Sequence, residues 1–398
     1  MSLAKLKPLF WLVVPEGLVL AAAAILLHVS ALRPSLPAFA RFYPYVVFAG
    51  GALLGWRFQR SRLLFSLLVL ALATAAIHRG QLTAQLTAFL MPVNLAGLAL
   101  LAERGTFTPF GLLRLGAIGL QVVLVEMCVR TAPAATSALL NWALLPARFV
   151  PAAALGQPAL LAFVVTFALV GAFLALAPNT ITRGFLWAIA ASWLAVAPLR
   201  PSAAAAVYLG TAGLILVVAV LETSYLLAYQ DGLTGLPARR ALTEALERLA
   251  GQYTVAMVDV DHFKQFNDRY GHDVGDQVLR MVAANLAEVE GGGRAYRYGG
   301  EEFSIVFPGK SLDDCLPHLE RIREAVADAR FTIRRRLRPR NKPDQPKPRK
   351  GRRSDATITV SIGVAARSQR NANPDQVIRA ADRALYVAKQ DGRNRVRS

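Results

Sequence analysis

Two consecutive glycines followed by two carboxylates, Gly299-Gly300-Glu301-Glu302, stand between Arg297-Tyr298 and Phe303. The flanking residues favour strands, so the stretch predicts a tight hairpin presenting acids at its tip. Glycine there permits positive φ and lets a bulky anion approach the backbone. Adjacent carboxylates are costly unless a cation neutralises them. A second acid-bearing stretch, Met257-Val258-Asp259-Val260-Asp261, closes a short apolar run. Side by side, the two elements would form an all-oxygen site for Mg²⁺. Such a site serves phosphoryl or nucleotidyl transfer by neutralising charge and aligning an in-line attack. Each piece alone has a plainer reading. A glycine pair is most often a turn, and Glu301 with Glu302 could be a solvated strand end. Asp276 sits at the third position of a helix whose expected cap is Asp273. Lys389 and Arg393 flank Gly392 at a helix C-terminus, where cations and a glycine cap are ordinary. Only together, in this order and spacing, do they point to chemistry.

The elements that must position these groups read as a soluble α/β domain from Tyr229 onward. Val255–Val258 is a buried strand, and a helix runs from Asp273 to about Val289 with Val278, Met281, Val282 and Leu286 on one face. Phe303–Phe307 and Thr357–Ala365 read as strands. Leu312–Ala329 reads as a helix whose start Pro317 should delay. Asn373-Pro374 caps a last helix ending near Lys389. Between these lies Arg334–Arg353, with eleven Lys or Arg, one acid and four Pro. That composition describes a disordered, self-repelling insert at the tip of a hairpin. A polybasic segment of this kind is expected to contact anionic lipid, which attracts it by about 1 kcal/mol per cation. Nucleic acid is not expected as a partner, since aromatic interleaving and a recognition helix are both missing.

The first 228 residues are of another kind. They hold four acids (Glu16, Glu103, Glu126, Glu222) and fourteen Lys or Arg, set between long apolar runs. The runs are Leu9–Val29, Tyr43–Trp56, Leu63–Ile77, Leu86–Leu101, Leu115–Val125, Leu160–Ala177, Phe185–Leu199 and Val207–Leu221. With their flanks, several reach the ~20 residues that cross a bilayer. The first reads as a membrane helix and not a removed signal peptide. Eight crossings with the N-terminus inside, or alternatively seven, put Lys5, Lys7, Arg57, Arg60, Arg62, Arg104 and Arg183 on the cytoplasmic side, a weak bias. Thr131–Ala154 reads as an external loop or an interfacial helix. Glu126 inside an apolar run is a candidate functional group, or a simple partner of Arg130 one turn on. Cys128 and Cys315 stand alone, so neither a disulfide framework nor a zinc site is indicated.

The chain carries 54% apolar residues and a formal charge of +19 over 398 residues, which excludes a disordered or fibrous protein. The membrane half and the insert each carry a net charge of +10, and the rest is near neutral. The charge therefore points to lipid and not to nucleic acid.

From Asp231 to Arg397 the sequence resembles a GGDEF domain, the catalytic domain of diguanylate cyclases, in its GGEEF form. The matching motifs are Asp231-Gly-Leu-Thr-Gly-Leu-Pro237, Asp259-Val-Asp-His-Phe-Lys-Gln-Phe-Asn267-Asp and Tyr270-Gly-His-Asp-Val-Gly-Asp276. Further on come Arg297-Tyr-Gly-Gly-Glu-Glu-Phe303, Val360-Ser-Ile-Gly-Val364 and Ala381-Asp-Arg-Ala-Leu-Tyr-Val-Ala-Lys389 with Gly392-Arg-Asn394. The apolar runs predict a polytopic all-α membrane domain (1–221) and a short linker helix (222–230), and the resemblance implies an α/β GGDEF domain (231–398) carrying the 334–353 insert. The domain's fold would be a central, mostly antiparallel sheet flanked by helices, like nucleotidyl cyclases and polymerase palms.

The implied reaction condenses two GTP to cyclic di-GMP and two pyrophosphates across a homodimer. Asp259, the backbone carbonyl of Val260, Glu301 and Glu302 would hold Mg²⁺, two per active site, with Mn²⁺ as an alternative. Glu301 is the family's proposed base for the 3′-hydroxyl, and Glu302 assists. Asn267 and Asp276 would read guanine. Gly299, Gly300, Lys264, Lys389 and Arg393 would meet the phosphates. The implied location is the bacterial inner membrane, multi-pass, with the catalytic domain in the cytoplasm. Glu290-Gly-Gly-Gly293 stands where the family often has an RxxD product-feedback motif, so feedback through that place is not expected. Two rival readings stay open at this point: a catalytically silent nucleotide receptor, and a transporter with a regulatory domain. No EAL-type phosphodiesterase motif follows.

Overall fold

The computed structural model describes residues 12–143, 146, 155–198, 202–329, 331–332, 355–368 and 371–398. Lys5, Lys7 and the whole Arg334–Arg353 insert lie outside the described residues. The chain divides into two compact units, 1–224 and 225–398.

The first unit is helical: α1 (Glu16–His28), α2 (Leu36–Arg57), α3 (Ser61–Ile77), α4 (Gln81–Leu100), α5 (Pro109–Thr131), α6 (Pro133–Leu140), α7 (Gln157–Leu176), α8 (Thr180–Val196) and α9 (Ala203–Tyr229). Among the described residues each apolar run centres on one helix. By length and composition five of them, α2, α4, α5, α7 and α9, are long and apolar enough to cross a membrane; α1, α3 and α8 are apolar but shorter. Local chemistry sets these limits. Helix α3 is confined between Gln59 and Gly80, both at positive φ (53° and 141°). Helix α5 begins at Pro109 because Thr108 accepts from the Gly111 amide at 3.1 Å, and Asn179 caps α8 through Thr182 at 2.8 Å. The Thr131–Ala154 segment contains the short helix α6.

Arg183, expected as a cytoplasmic loop charge, sits instead in the first turn of α8 and is wholly buried. Its guanidinium meets Glu16 of α1 at 2.8 Å and also pairs with Glu222 of α9. Two acids close around one cation are what allow a charge into this interior. Glu126 pairs with Arg130, the plainer of its two readings.

The second unit is a three-layer α/β fold. In chain order it comprises α10 (Arg239–Glu247), β1 (Tyr253–Val260), α11 (Phe263–Tyr270), α12 (His272–Ala287), β2 (Arg294–Gly299), β3 (Glu302–Pro308), α13 (Leu312–Asp328), β4 (Phe331–Thr332), β5 (Asp355–Ala356), β6 (Val360–Ala366), α14 (Pro374–Gln390) and β7 (Val396–Arg397). The sheet order is β2-β3-β1-β6-β7, antiparallel except for the final β6–β7 pair. Every residue of β1 is buried, because helices cover both faces. Its alternate residues serve two cores. Ala256, Val258 and Val260 pack with α12 and α13, while Tyr253, Val255 and Met257 pack with α10 and α14. Strands β4 and β5 pair antiparallel on either side of the insert.

Three expectations about elements need correction. Helix α13 starts at Leu312 despite Pro317, because Ser311 and Asp314 form a reciprocal capping box at its N-terminus. Strand β6 begins at Val360 and not at Thr357. Helix α12 begins at His272, with Gly271 (φ 86°) and not Asp273 at its cap. Gly271 also ends α11 by donating to the Asn267 carbonyl at 2.8 Å, so one left-handed residue serves both helices.

Candidate active site

The register of β1 and β3 builds the site. Asp259 lies opposite Glu302, and the Val260 amide donates to the Glu301 carbonyl at 3.4 Å. A bulge between Arg297 and Gly299 and a positive φ at Gly300 (34°) turn the β2–β3 hairpin so that Glu301 sits at its tip. Asp259 is buried, and Glu301 and Glu302 are half-buried. Burial raises all three carboxyls above the usual range, and for Glu301 and Glu302 the charge on Asp259 adds to it. Lys389, at the end of α14, opposes the rise through its 2.9 Å pair with Asp259, and Arg393 helps.

Three acids facing one directly paired cation leave an excess of negative charge on oxygen donors. That donor chemistry fits a hard divalent cation. Among the described residues no three His, Cys, Asp or Glu side chains already converge on one metal position. A bound cation would draw adjacent side chains together and would not enter a finished cage.

Arg297 holds the turn. Its Nη2 donates to the Gly300 carbonyl at 2.7 Å and its Nη1 to Asp231 Oδ1 at 2.7 Å. Asp231 also accepts from the Thr234 amide and hydroxyl. Burial would push this carboxyl up, but the bonds from Thr234 and Arg297 outweigh it and hold the group below its ordinary value. The Asp231–Pro237 loop is thus tied to the glycine turn through one guanidinium.

Asp261, the second acid of the Met257–Asp261 stretch, has a structural role. It accepts from Thr359 and Ser361 hydroxyls, both at 2.7 Å, and from the Asn394 amide at 3.1 Å. It therefore fastens the Arg393-Asn394 loop beside Asp259. Only the pairing of β1 with β6 brings Thr359 and Ser361 to it, so no local motif announced this role. Arg239, stacked over Tyr298 at 4.4 Å, and Asp382 both act on the Glu302 charge and were likewise missed.

Asn267 lies on α11 and Asp276 in the second turn of α12, next to Gly275. A Cβ placed on Gly275 would come within 1.8 Å of Asn267 Oδ1, so the glycine makes room for that side chain. The Asn267 Oδ1 atom is buried without a hydrogen-bond partner among the described residues. Lys264 is exposed on α11, and nothing among the described residues pairs with it. At Glu290-Gly-Gly-Gly293, Glu290 pairs with Arg321, and His318 lies against Gly291.

Coupled carboxylates on neighbouring strands, a glycine turn and a cation at a helix end make up the layout of a metal-dependent phosphoryl- or nucleotidyl-transfer site. Residues 228–395 match the family described as "Diguanylate cyclase, GGDEF domain", and the second unit belongs to the GGDEF family. The response regulator PleD of Caulobacter vibrioides is 37% identical over 184 residues, which is 44% of this chain and 37% of PleD. The diguanylate cyclase VdcA of Vibrio cholerae is 38% identical over 170 residues, 42% of this chain and 45% of VdcA. A solved structure of the coiled coil and GGDEF domain of DgcB from Caulobacter crescentus, in complex with c-di-GMP, is similar at 34% identity and a TM-score of 0.38. It is matched over 45% of this chain and 89% of that one. The chain spans less than half the length of these curated relatives.

Proposed function

We propose that the chain is a membrane-anchored diguanylate cyclase that condenses two GTP to cyclic di-GMP with release of two pyrophosphates. The observation that carries this reading is the set of Asp259, Glu301 and Glu302, coupled through their charges, on two paired strands beside the Gly299-Gly300 turn. Asp259, the Val260 carbonyl, Glu301 and Glu302 would hold Mg²⁺, which supplies charge neutralisation on the phosphates and acidifies the attacking hydroxyl. Glu301 at the hairpin tip accepts the proton of the 3′-hydroxyl. Lys389 and Arg393 screen the phosphate charge, and the glycine turn lets the triphosphate approach the backbone. Each site holds one GTP, so two catalytic units must face each other, and a homodimer is part of the reading.

The buried, unpartnered Asn267 Oδ1 and the half-buried Asp276 read the guanine edge, and acceptors that adenine would leave unpaired supply the discrimination. Gly275→Ala would drive Asn267 from its place, although alanine is the better helix former by about 1 kcal/mol. The expected outcome is a rise of about tenfold in KM for GTP with kcat and the melting temperature nearly unchanged. Steady-state kinetics checks it. An unchanged KM would remove Asn267 from the substrate site.

The five span-length helices support a multi-pass anchor in the bacterial inner membrane with the catalytic unit in the cytoplasm. The basic insert would then attach to anionic lipid, and the helical unit would control the cyclase. Membranes carrying the protein should make cyclic di-GMP and pyrophosphate from GTP and Mg²⁺, and membranes carrying Glu301→Ala should not. The protein should also stay in the pellet after an alkaline carbonate wash. No product from the parent overturns the enzyme reading, and release by carbonate overturns the membrane reading.

A further inference from the structure

A cavity of about 170 Å³ opens between α3, α4 and α5 of the helical unit, and no part of the nucleotide site involves it. On the scale where one water needs about 10–15 Å³, it holds a molecule of roughly ten to fifteen non-hydrogen atoms. Its walls are mostly apolar. Besides the hydroxyls of Thr83 and Thr87, its polar lining groups fall into two sets, one at Gln121 and one at Glu126, more than a helical turn apart on α5.

In the first set, Asn94 Nδ2 donates to Gln121 Oε1 at 2.7 Å and to the Leu90 carbonyl at 3.0 Å. Both donor hydrogens of Asn94 are thereby used. Asn94 Oδ1 and the Gln121 amide nitrogen have no partner among the described residues, and they present an acceptor and a donor side by side. In the second set, Arg79 approaches Glu126 only to 4.0 Å, while Arg130 pairs closely with the same carboxylate. Arg130, which is not part of the cavity wall, takes up the Glu126 charge and leaves Arg79 as the loosely paired cation on the wall. An apolar body between a cationic end and a hydroxyl-sized hydrogen-bonding pair has one complementary chemistry.

We infer that this cavity binds a medium-chain carboxylate bearing a hydroxyl or carbonyl toward its far end. The carboxylate lies at Arg79, and the distal polar group satisfies Asn94 and Gln121 together. The apolar chain replaces water along the walls.

The full-length chain in neutral-lipid nanodiscs should bind ω-hydroxydecanoate saturably at one site in a calorimetric titration, and decanoate about tenfold more weakly. Gln121→Leu should abolish the difference between the two probes. Arg79 is 68% exposed, so Arg79→Gln leaves the fold intact. That variant should weaken both acids while leaving the uncharged decanediol unaffected. Non-saturable uptake, or equal binding by the parent and Arg79→Gln, would overturn the assignment. So would preference for decanediol over the acids.

Discussion

Asp259→Asn is expected to lower cyclic di-GMP synthesis by about a thousandfold while raising the melting temperature of the protein. The two effects share one cause. Asp259 is buried opposite Glu302 in register and near Glu301, and burial is the largest influence on its carboxyl, raising it above the ordinary range. Loss of a carboxylate that would hold the cation removes about 4 kcal/mol of transition-state charge stabilisation, which is about three orders of magnitude in rate. The amide keeps the shape but carries no charge to bury, and Lys389, one-third exposed, can turn to water.

The sign of the pH dependence follows from the raised carboxyls. A group whose folded pKa is raised contributes stability at low pH and loses it as pH rises through that value. As pH rises through the raised carboxyls the parent therefore takes on the cost of ionising Asp259 beside Glu301 and Glu302, and the variant is spared that part of it. Unfolding followed by fluorescence across a pH series should show the variant's advantage at neutral pH and its decline as pH falls through the acid range. A variant that keeps its synthesis rate would remove Asp259 from the chemistry.

Gly363→Ala should have the largest effect on stability, about 3–5 kcal/mol, enough to cost most of the folded catalytic unit. A Cβ at 363 would lie 2.0 Å from the Leu385 amide nitrogen and 2.2 Å from the Ala381 carbonyl oxygen. Both are backbone atoms of α14, so no rotamer change relieves the overlap. Strand and helix would have to separate, and the same movement would carry Lys389 away from Asp259. Gly299→Ala is the control, since its new Cβ would meet only Glu302 Oε2 at 3.9 Å. Soluble yield and protease resistance of the two variants should differ sharply. Equal folding would mean that β6 and α14 can part without penalty.

The sequence made some of this legible and hid the rest for physical reasons. The glycine pair, the following acids and Asp259 were readable because turn chemistry and the end of an apolar run are local. The partition near residue 228 was readable because acids become scarce and long uncharged apolar runs dominate on one side of it. The role of Asp261 was hidden because its partners Thr359 and Ser361 lie about a hundred residues away and meet it only through β1–β6 pairing. Pro317 misled because a proline at the sixth helical position is outweighed by a capping box at the first. Arg183 misled because a lone arginine after an apolar run reads as a loop charge until Glu16 and Glu222 are seen around it.

The pairing of Asp259 with Glu302 also bears on how this chain tolerates drift. Side chains alternate along β1 and β3, so gaining or losing one residue in either strand sends the acids to opposite faces of the sheet. Such a change erases the site even if every hydrophobic position is refilled. Length changes between β4 and β5 are different in kind, since doubling a connection costs only about 0.6 kcal/mol of closure entropy. The catalytic unit should therefore accept insertions and deletions in the basic stretch and reject them within a few residues of Asp259. What selection preserves here is a count of residues as much as their identities.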